Sequence, residues 1–556
     1  MIKRLLAFLI LLAIPATLFA KGGVVSAADP RAAEAGREIL RQGGTASDAA
    51  IAMMLALTVV EPQSSGIGGG GFMVHSDGKT GAIGTIDGRE TAPASATPDL
   101  FIGADGKPMP FIDAAPGGRS VGVPGNIALA ARASTRWGKL RWSALFRPAI
   151  RLAENGYQVT PRLAEALSRV KSLWPDFPAA QAIYWQDGRP KQAGDTVRNP
   201  ALAALLRKVA TKGPAAFYSG GNAAAIIEAA GQSKRNPTRI TRKDIATYRA
   251  IERDAVCSSY RQYRLCGMGP PSSGATTVFQ ILGMLERFDL RALGKDNPQS
   301  WHLIAEAMRL GYADREKYLG DPDFVAVPVS GLLDKAYIAG RSALISPDRS
   351  LGSYDAGTPP GAQPRTAALS GEVGGTTHFV AIDGAGNVAS MTSTVEGPFG
   401  SQLIANGYFL NNELTDFTFA PEKDGAPVAN RVEAGKRPLS SMSPTIVFGP
   451  DGKAIFAVGA AGGKTIIMQV AKTLIAHFDW GLSAREALAA PNIYFAGDAI
   501  LVEPGTALAA MQGQLAGFGH TVISGRMSSK ANAAERTATG WQGAADPRSE
   551  GVALGE

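Results

Sequence analysis

The sequence predicts a mixed protein of helices and strands that pack in layers. Three observations indicate this class. Apolar residues recur at helical spacing near the N-terminus and through residues 125–250, two segments have the pattern of β-hairpins, and strands alternate with helices from residue 251 onward. A chain of 556 residues is long enough for two or more domains, or for one large layered domain with a sizeable core.

The first twenty residues are predicted to be a signal peptide. Lys3 and Arg4 precede the apolar run LLAFLILLAI, and the segment ends in the small residue Ala20. Export signals share this order of charge, apolar core and cleavage site. The apolar run is shorter than the roughly 20 residues of a membrane span. We therefore expect a secreted, periplasmic protein with no membrane association once residues 1–20 are removed.

The positive charge of the chain is diffuse. Of the net charge of +8, Lys3 and Arg4 in the leader supply two, and the other basic residues form no dense block with interleaved aromatics. Binding of nucleic acid needs such a patch on one face. Nucleic acid is therefore not an expected partner.

Two helices and a hairpin are predicted after the leader. The segment PRAAEAGREILRQGG ends at Gly43 and Gly44, and ASDAAIAMMLALTVV follows a cap candidate at Thr45 or Ser47. The segments SSGIGGGGFMVH and AIGTIDGRE then flank the turn SDGKTG and form a hairpin that ends near Arg89. The glycines match a dinucleotide-binding fingerprint by letter, but that motif needs a strand before it and a helix after it.

The two cysteines are predicted to form a disulfide. Cys257 and Cys266 lie in short β-prone runs on either side of Arg261 and Gln262, and a two-residue turn would place them directly opposite one another. Opposed hairpin positions have Cα separations of about 4.5–5.5 Å, which a disulfide can bridge. Export to an oxidising compartment favours the bridge, and the alternative is two unpaired thiols in a core.

A linker and a second hairpin meet at Thr376. Residues 346–375 are rich in Ser, Pro, Gly and Ala without periodicity, which indicates an exposed linker. The segment TTHFVAIDGAGNVASMTSTV directly after it is the clearest hairpin of the chain. A threonine hydroxyl can be activated by the α-amino group of its own residue, but only after cleavage has made that residue N-terminal. This position predicts cleavage between Gly375 and Thr376, with Thr376 as nucleophile.

The register of this hairpin gives Thr376 a partner. A loop of residues 383–387 pairs Ile382 with Val388, and counting outward places Thr376 opposite Thr394. Opposed side chains lie roughly 4.5–5.5 Å apart at Cβ, so the Thr394 hydroxyl can polarise that of Thr376. Threonine is also a common strand residue, and the pattern alone leaves an ordinary structural role open.

A glycine pair precedes the predicted helix TIIMQVAKTLIAHF. The segment GAAGGKT is similar to a phosphate-binding loop, but Val458 occupies the position of its first glycine. What remains is Gly462 and Gly463 at a helix start, where free backbone amides suit an anion.

Several of these segments together resemble the gamma-glutamyltransferase family of N-terminal-nucleophile hydrolases. In chain order they are GIGGGGFM, DGRETAP, PPSSG, YADREKYLGDPDFV, GGTTHF, LNNELTDF, KRPLSSMSPTI and VGAAGG. The resemblance implies an α/β (α+β) fold, a four-layer αββα sandwich. It also implies autocatalytic cleavage into a large subunit, residues 21–375, and a small catalytic subunit, residues 376–556, which stay together as a heterodimer.

The resemblance also implies the catalytic residues. Thr376 matches the family's nucleophile and Thr394 its hydroxyl partner. Gly462 and Gly463 match the pair of glycines whose amides form the oxyanion hole. The expected reaction is acyl transfer through a glutamyl-enzyme ester on Thr376.

Five further residues match the family's substrate site. Arg89 matches an arginine that binds the α-carboxylate of the glutamyl group, where a planar fork suits bidentate binding. Ser440 and Ser441 match serines that complete this cradle. Glu413 and Asp416 match acids that hold the α-ammonium, and they favour a glutamyl over a glutaryl donor, since a glutaryl group has no ammonium to offset them.

The chain departs from the family pattern in two places. Glu396 stands where the family often has an asparagine that contacts the α-amino group, and we treat it as a further substrate-binding candidate. The lid segment between Asp416 and Ser440 is short and has no tyrosine, which suggests a more open acceptor side.

The expected substrates are gamma-glutamyl compounds such as glutathione, with water, an amino acid or a peptide as acceptor. No cofactor and no metal are expected, because no His, Cys and carboxylate cluster has metal-ligand spacing. His378 is expected to be packed and hydrogen-bonded, since the α-amine supplies the base. Two alternatives remain open: a related glutaryl or cephalosporin acylase, argued from Glu396, and an exported binding homologue without catalysis.

Overall fold

The computed structural model describes residues 22–368, 371, 374–527 and 529–556. The predicted signal peptide lies outside these residues. Within them, no helix combines the length and the apolar character that crossing a membrane requires.

Helices form around the predicted periodic segments and make up most of the Ala/Leu-rich middle of the chain. The longer ones are α1 Pro30–Arg41, α2 Ala46–Val60, α3 Asn126–Trp137, α4 Arg147–Asn155, α5 Pro161–Val170, α6 Pro178–Tyr184, α7 Pro200–Lys212, α8 Gly220–Gly231, α9 Arg242–Thr247, α10 Gly274–Leu285, α11 Pro298–Tyr318, α12 Lys335–Ala343, α13 Thr465–Phe478, α14 Ala484–Ala489 and α15 Gln512–Gly517.

The strands of the three larger sheets alternate with these helices. They are β1 Val24–Ala27, β2 Gly70–Ser76, β3 Ile83–Gly88, β4 Ile251–Arg253, β5 Val256–Tyr260, β6 Tyr263–Gly267, β7 Thr377–Ile382, β8 Val388–Thr394, β9 Thr445–Phe448, β10 Ala454–Ala461, β11 Ile493–Ala496, β12 Ala499–Val502, β13 Thr521–Ser524, β14 Lys530–Thr537, β15 Gly540–Ala545 and β16 Val552–Gly555.

Two antiparallel sheets form the centre of the molecule. The first has seven strands in the order β16-β1-β7-β8-β2-β3-β4, and the second has six in the order β15-β14-β10-β9-β6-β5. The strands β11, β12 and β13 form a separate small sheet. Strands β7 and β8 are central in the first sheet, so the hairpin that carries Thr376 has a neighbour on each side.

Helices cover the outer face of each central sheet. One apolar core joins α1 and α2 to the first sheet, and a second core fills the space between the sheets and extends to α10, α11 and α13. Side chains of β7 alternate between the two cores, with Phe379 in the first and Val380 in the second, as strand geometry requires. The predicted four-layer αββα sandwich is confirmed.

Local signals fix the helices nearest the site. Thr45 caps α2 through a reciprocal capping box with Asp48. Helix α13 covers the predicted segment TIIMQVAKTLIAHF and follows directly on the glycine pair. The β5–β6 hairpin turns at Arg261 and Gln262, and a disulfide joins its opposed residues Cys257 and Cys266, whose Cα atoms are 4.1 Å apart.

Candidate functional site

Thr376 lies at the start of strand β7, opposite the end of strand β8. The hairpin pairs Ile382 with Val388 and Thr377 with Ser393, which is the register that a 383–387 loop predicts. The Thr376 hydroxyl donates a hydrogen bond to Oγ1 of Thr394 over 3.1 Å. Both side chains are buried.

The backbone around Thr376 is tightly constrained in the uncut chain. Thr376 has a φ of +150°, which is unfavourable for a β-branched residue. A Cβ added to Gly375 would lie 1.8 Å from the carbonyl oxygen of Glu396, so only glycine fits there. The peptide bond between Gly375 and Thr376 is therefore constrained on both sides. Thr376 has a strained backbone, and Gly375 is packed against the end of strand β8.

Gly462 and Gly463 form the turn between β10 and α13. Their φ angles are +138° and +59°, which other residues rarely adopt. Gly463 lines the same cavity as Thr376, and Gly462 immediately precedes it. The turn thus presents the N-terminal end of α13 toward the threonine, where backbone amides favour negative charge.

Arg89 follows strand β3 and is fully buried beside two acids. Its guanidinium pairs with the carboxylates of Glu413 and Asp416. It also donates to the carbonyl oxygens of Pro438 at 3.1 Å and Leu439 at 2.8 Å. Among the described residues, these acceptors take four of its five N–H groups, and one Nη1 N–H is left over.

The pairing at Arg89 differs from the expected open fork. Bidentate capture of a carboxylate needs two parallel N–H groups, and Glu413 and Asp416 already use them. The physical reason is burial, because a guanidinium removed from water must be paired. Burial opposes the charge on Arg89, but Glu413 and Asp416 outweigh it and raise the pKa of Arg89.

Glu90 adds a third carboxyl group to this cluster. It is fully buried, and its Oε2 lies 4.0 Å from Nη1 of Arg89. Burial raises the pKa of both Glu90 and Glu413, against the opposing effect of Arg89. Negative charge from Glu90 and Glu396 raises the pKa of Glu413 further. The cluster therefore has more carboxyl groups than its single guanidinium can neutralise.

Glu396 lies two residues beyond Thr394 and borders the same cavity. Its backbone has a φ of +76°, and its amide donates to Oγ1 of Thr394 at 2.8 Å. The Asn412 side chain donates to the Glu396 carboxylate and accepts from the amide of Gly397 at 2.9 Å. Asn412 thus fixes this carboxylate at the cavity wall.

Ser440 and Ser441 lie at the other wall, before strand β9. Arg315 of helix α11 is fully buried and donates to Oγ of Ser441 at 2.9 Å. The same guanidinium pairs with Glu316, which also pairs with Lys464 at the start of α13. This chain of contacts connects the serine wall to the Gly462–Gly463 turn.

One small cavity brings together nearly all of the residues chosen from the sequence. Its lining includes the two threonines, the arginine and three acids, the two serines and one glycine of the pair: Thr376, Thr394, Arg89, Glu396, Glu413, Asp416, Ser440, Ser441 and Gly463, with Met442 and Ile466 as apolar neighbours. Gly462 directly precedes Gly463 in the chain. The disulfide of Cys257 and Cys266 lies in the β5–β6 hairpin and does not line this cavity.

The short lid segment forms a small hairpin of Glu422–Lys423 with Ala426–Pro427. Lys423 donates from its ammonium group to the carbonyl oxygen of Ala367 in the linker, at 3.1 Å. The described linker residues before Ala368 contain no helix or strand. Lid and linker therefore contact one another in the uncut chain.

His378 is packed inside the sandwich, as its position on the strand suggested. Its Nδ1 lies 2.8 Å from the Thr392 hydroxyl, and a Cβ on Gly459 would collide with its ring. Burial lowers the pKa of His378 to about 3, so the ring is neutral at physiological pH.

Sequence reasoning missed the residues that hold the site in place. Glu90 lies next to Arg89 in DGRETAP, and Asn412 lies next to Glu413 in LNNEL. Arg315 belongs to YADREKYLG. All three residues therefore lie in motifs that resemble the family, and this could have identified them. Arg437 was also missed: it binds the backbone carbonyl of Arg89 at 2.7 Å.

Two packed antiparallel sheets with a threonine at the head of a central strand define the N-terminal-nucleophile type of hydrolase fold. The family model described as gamma-glutamyltranspeptidase matches residues 32–556. The chain therefore belongs to the gamma-glutamyltranspeptidase family, and it is an enzyme of the hydrolase and transferase class.

Individual relatives agree with this assignment. The chain is 39% identical over 483 residues to a glutathione hydrolase proenzyme of Bacillus subtilis (strain 168), covering 85% of this chain and 81% of the relative. It is 34% identical to an acylase ACY 1 proenzyme of Pseudomonas sp. (strain SE83), covering 90% and 87%. A cephalosporin acylase structure from Bacillus halodurans superposes with a TM-score of 0.85 at 28% identity, covering 96% and 95%.

Proposed function

We propose that this chain is a secreted proenzyme that cuts itself between Gly375 and Thr376 and then cleaves gamma-glutamyl amides such as glutathione. The cut would give a large subunit of residues 21–375 and a small subunit of residues 376–556. The observation that carries the proposal is the Thr376–Thr394 hydrogen bond inside a cavity that also contains Arg89 and three carboxylates.

Backbone strain supports the self-cleavage step. The Thr376 hydroxyl attacks the carbonyl carbon of Gly375, the peptide nitrogen leaves as the new α-amine of Thr376, and an ester joins the two residues. Water then hydrolyses the ester to free the Gly375 carboxylate and the threonine hydroxyl. Strain of about 1–3 kcal/mol at a residue such as Thr376 is released when this peptide bond breaks. The proenzyme names of the relatives in Bacillus and Pseudomonas agree with such a precursor.

The same threonine then acts on the substrate. The free α-amine of Thr376 takes the hydroxyl proton, and the oxygen attacks the γ-carbonyl carbon of the donor. The amides of Gly462 and Gly463 face the developing oxyanion, where each donor contributes about 2.7–4 kcal/mol. The α-amine of Thr376 passes the proton to the departing amine of the donor. Water or an acceptor amine then attacks the glutamyl ester and releases Thr376.

The acid cluster supports a glutamyl donor by an exchange of ion pairs. In the uncut chain Arg89 is paired with Glu413 and Asp416. A glutamyl group brings both an ammonium for these acids and a carboxylate for Arg89, so every charge keeps a partner. A glutaryl group brings only a carboxylate. If that carboxylate bound Arg89, then Glu413 and Asp416 would be buried without a positively charged partner. Glu396 adds negative charge to this wall and strengthens the preference for an ammonium.

A denaturing gel and two substrates test the proposal. Purified protein should run as two bands that divide at residue 376, and Thr376→Ala should stay a single band without activity. Glutamyl anilide should then be cleaved far faster than glutaryl anilide. A wild-type chain that never divides would favour an exported binding protein instead.

An acylase is the second candidate, and the cephalosporin acylase structure with the same fold favours it. It predicts self-cleavage as well, so the gel cannot separate the two enzymes. Faster cleavage of the glutaryl anilide would decide for the acylase and against the exchange of ion pairs at Arg89.

A further inference from the structure

Two of the five histidines in the sequence meet in the interior, and neither lines the cavity of Thr376. His302 lies on helix α11 and His520 directly precedes strand β13, and both are buried. Nδ1 of His302 is 2.7 Å from Nε2 of His520. Glu306 lies one helical turn beyond His302, also fully buried, with its Oε1 3.9 Å from Nε2 of His520.

The three side chains have the dimensions of a metal site. One ligand atom from each lies within 4.8 Å of the other two. Zinc bonds of about 2.0–2.2 Å to nitrogen and oxygen place the ligands of one ion roughly 3–4 Å apart, so small side-chain rotations are enough. Two imidazoles and a carboxylate are a donor set that zinc accepts.

Hydrogen bonds from outside the cluster already orient His302 and Glu306. Nε2 of His302 is 2.8 Å from the carbonyl oxygen of Ser346, which fixes its proton there and leaves Nδ1 as the electron-pair donor. The second oxygen of Glu306 accepts from the amide of Leu351 at 2.9 Å, and the Tyr354 hydroxyl donates to the first. Metal ligands are oriented by such outer contacts to carbonyls and hydrogen-bond donors.

We propose that His302, Glu306 and His520 bind one divalent zinc-class ion. The ion takes the place of the proton between the two facing ring nitrogens, and His520 then carries its proton on Nδ1. Water completes the coordination. The two histidines lie 218 positions apart in the chain, so local spacing does not indicate this site.

The site joins three parts of the chain. His302 and Glu306 belong to α11, the outer contacts come from residues 346–354 at the start of the linker, and His520 lies beyond Thr376. The ion would therefore hold the large and small subunits together after cleavage, and this role rests on the proposed function. Binding itself does not, since all three ligands are in place in the uncut chain.

Metal content of the full-length protein, produced without a histidine tag and with zinc in the growth medium, tests the proposal. Because the cluster is buried, zinc is supplied during folding and loosely bound ions are then removed by dialysis against a chelator. We expect one zinc per chain in the wild type and also in Thr376→Ala. Loss of zinc from both would overturn the metal site, whereas an uncut wild type that keeps its zinc would overturn only the cleavage.

Three variants separate metal binding from packing. Glu306→Gln keeps the shape and should retain less than a tenth of the wild-type zinc, as should His520→Asn. His477→Asn is the matched control in the same half of the chain and should keep all of it. Tyr354→Phe removes one outer contact and should weaken zinc binding by about 10-fold in a chelator competition. Equal zinc in the wild type, Glu306→Gln and His520→Asn would show a hydrogen-bonded histidine pair only.

Discussion

The threonine hairpin and the Arg89 cluster lie in one cavity but are built in different ways. The hairpin brings Thr376 and Thr394 together through a five-residue loop, within 18 positions of one chain segment. The cluster brings Arg89 to Glu413 and Asp416 across more than 320 positions. The first arrangement depends on local backbone geometry and the second on the assembly of the whole fold.

The difference shows in how the two regions treat their polar groups. In the hairpin, register brings the Thr376 hydroxyl to that of Thr394 and the His378 ring to the Thr392 hydroxyl, through neutral hydrogen bonds. The cluster has to balance buried charge, and it does so by closing the acids onto Arg89 before any substrate is present.

Gly375→Ala is expected to have the largest effect, because it acts on the hairpin where the backbone is closest. The added Cβ would lie 1.8 Å from the carbonyl oxygen of Glu396. To remove this clash, the end of strand β8 must shift, and with it Thr394, which accepts the hydrogen bond from Thr376. A loss of about 3 kcal/mol of transition-state stabilisation slows self-cleavage about 100-fold. The appearance of the two bands over time measures this.

Gly371→Ala is the matched control for this change. It lies in the same linker, and its added Cβ would be 3.5 Å from Phe111, an ordinary contact. Equal cleavage rates for the two variants would mean that the close approach at Gly375 does not position the bond for attack.

Glu413→Gln tests the charge balance of the cluster. The substitution keeps the shape but removes one of the two carboxylates on Arg89. A hydrogen bond to a charged group contributes about 1.5–3 kcal/mol, so kcat/KM for glutamyl anilide should fall about 10- to 100-fold. Cleavage of glutaryl anilide should fall less, because the freed Arg89 can bind its carboxylate.

Glu422→Gln in the exposed lid hairpin controls for the loss of a negative charge that does not line the cavity. It should leave both substrates within about twofold of the wild type. An equal loss for glutamyl and glutaryl anilides in Glu413→Gln would contradict the exchange of ion pairs.

The same contrast explains what could be predicted from sequence. Helix α13, the caps of α2 and the pairing of Ile382 with Val388 follow from periodicity and loop length, which are local. The four-layer fold and the choice of Arg89 came from resemblance to a family. The closure of the acids onto Arg89, and the contact from Arg315 to Ser441 over 126 positions, depend on burial that no local pattern encodes.

Substitutions of Thr394 should have a smaller effect on the rate. Two variants separate the role of its hydroxyl from the role of its shape. Thr394→Val removes the acceptor for Thr376 and for the amide of Glu396. A neutral hydrogen bond contributes about 0.5–1.5 kcal/mol, so loss of the bond from Thr376 should lower kcat about 2- to 10-fold. Thr394→Ser restores the hydroxyl and should recover most of the rate. A serine variant as slow as the valine variant would assign the effect to packing of the methyl group.

The prediction for His378 concerns stability at acid pH rather than the rate of the chemistry. Its folded-state pKa of about 3 lies below the ordinary value of 6.5, because burial excludes the charged ring. As pH falls below about 6.5, the unfolded chain binds a proton that the folded chain refuses, so stability declines by about 1.4 kcal/mol per pH unit down to about pH 3. Urea unfolding of the uncut Thr376→Ala chain, with and without His378→Asn, isolates this slope. Parallel pH curves for the two chains would mean that His378 binds its proton equally well in the folded and unfolded chains, and that burial in the hairpin does not keep the ring neutral.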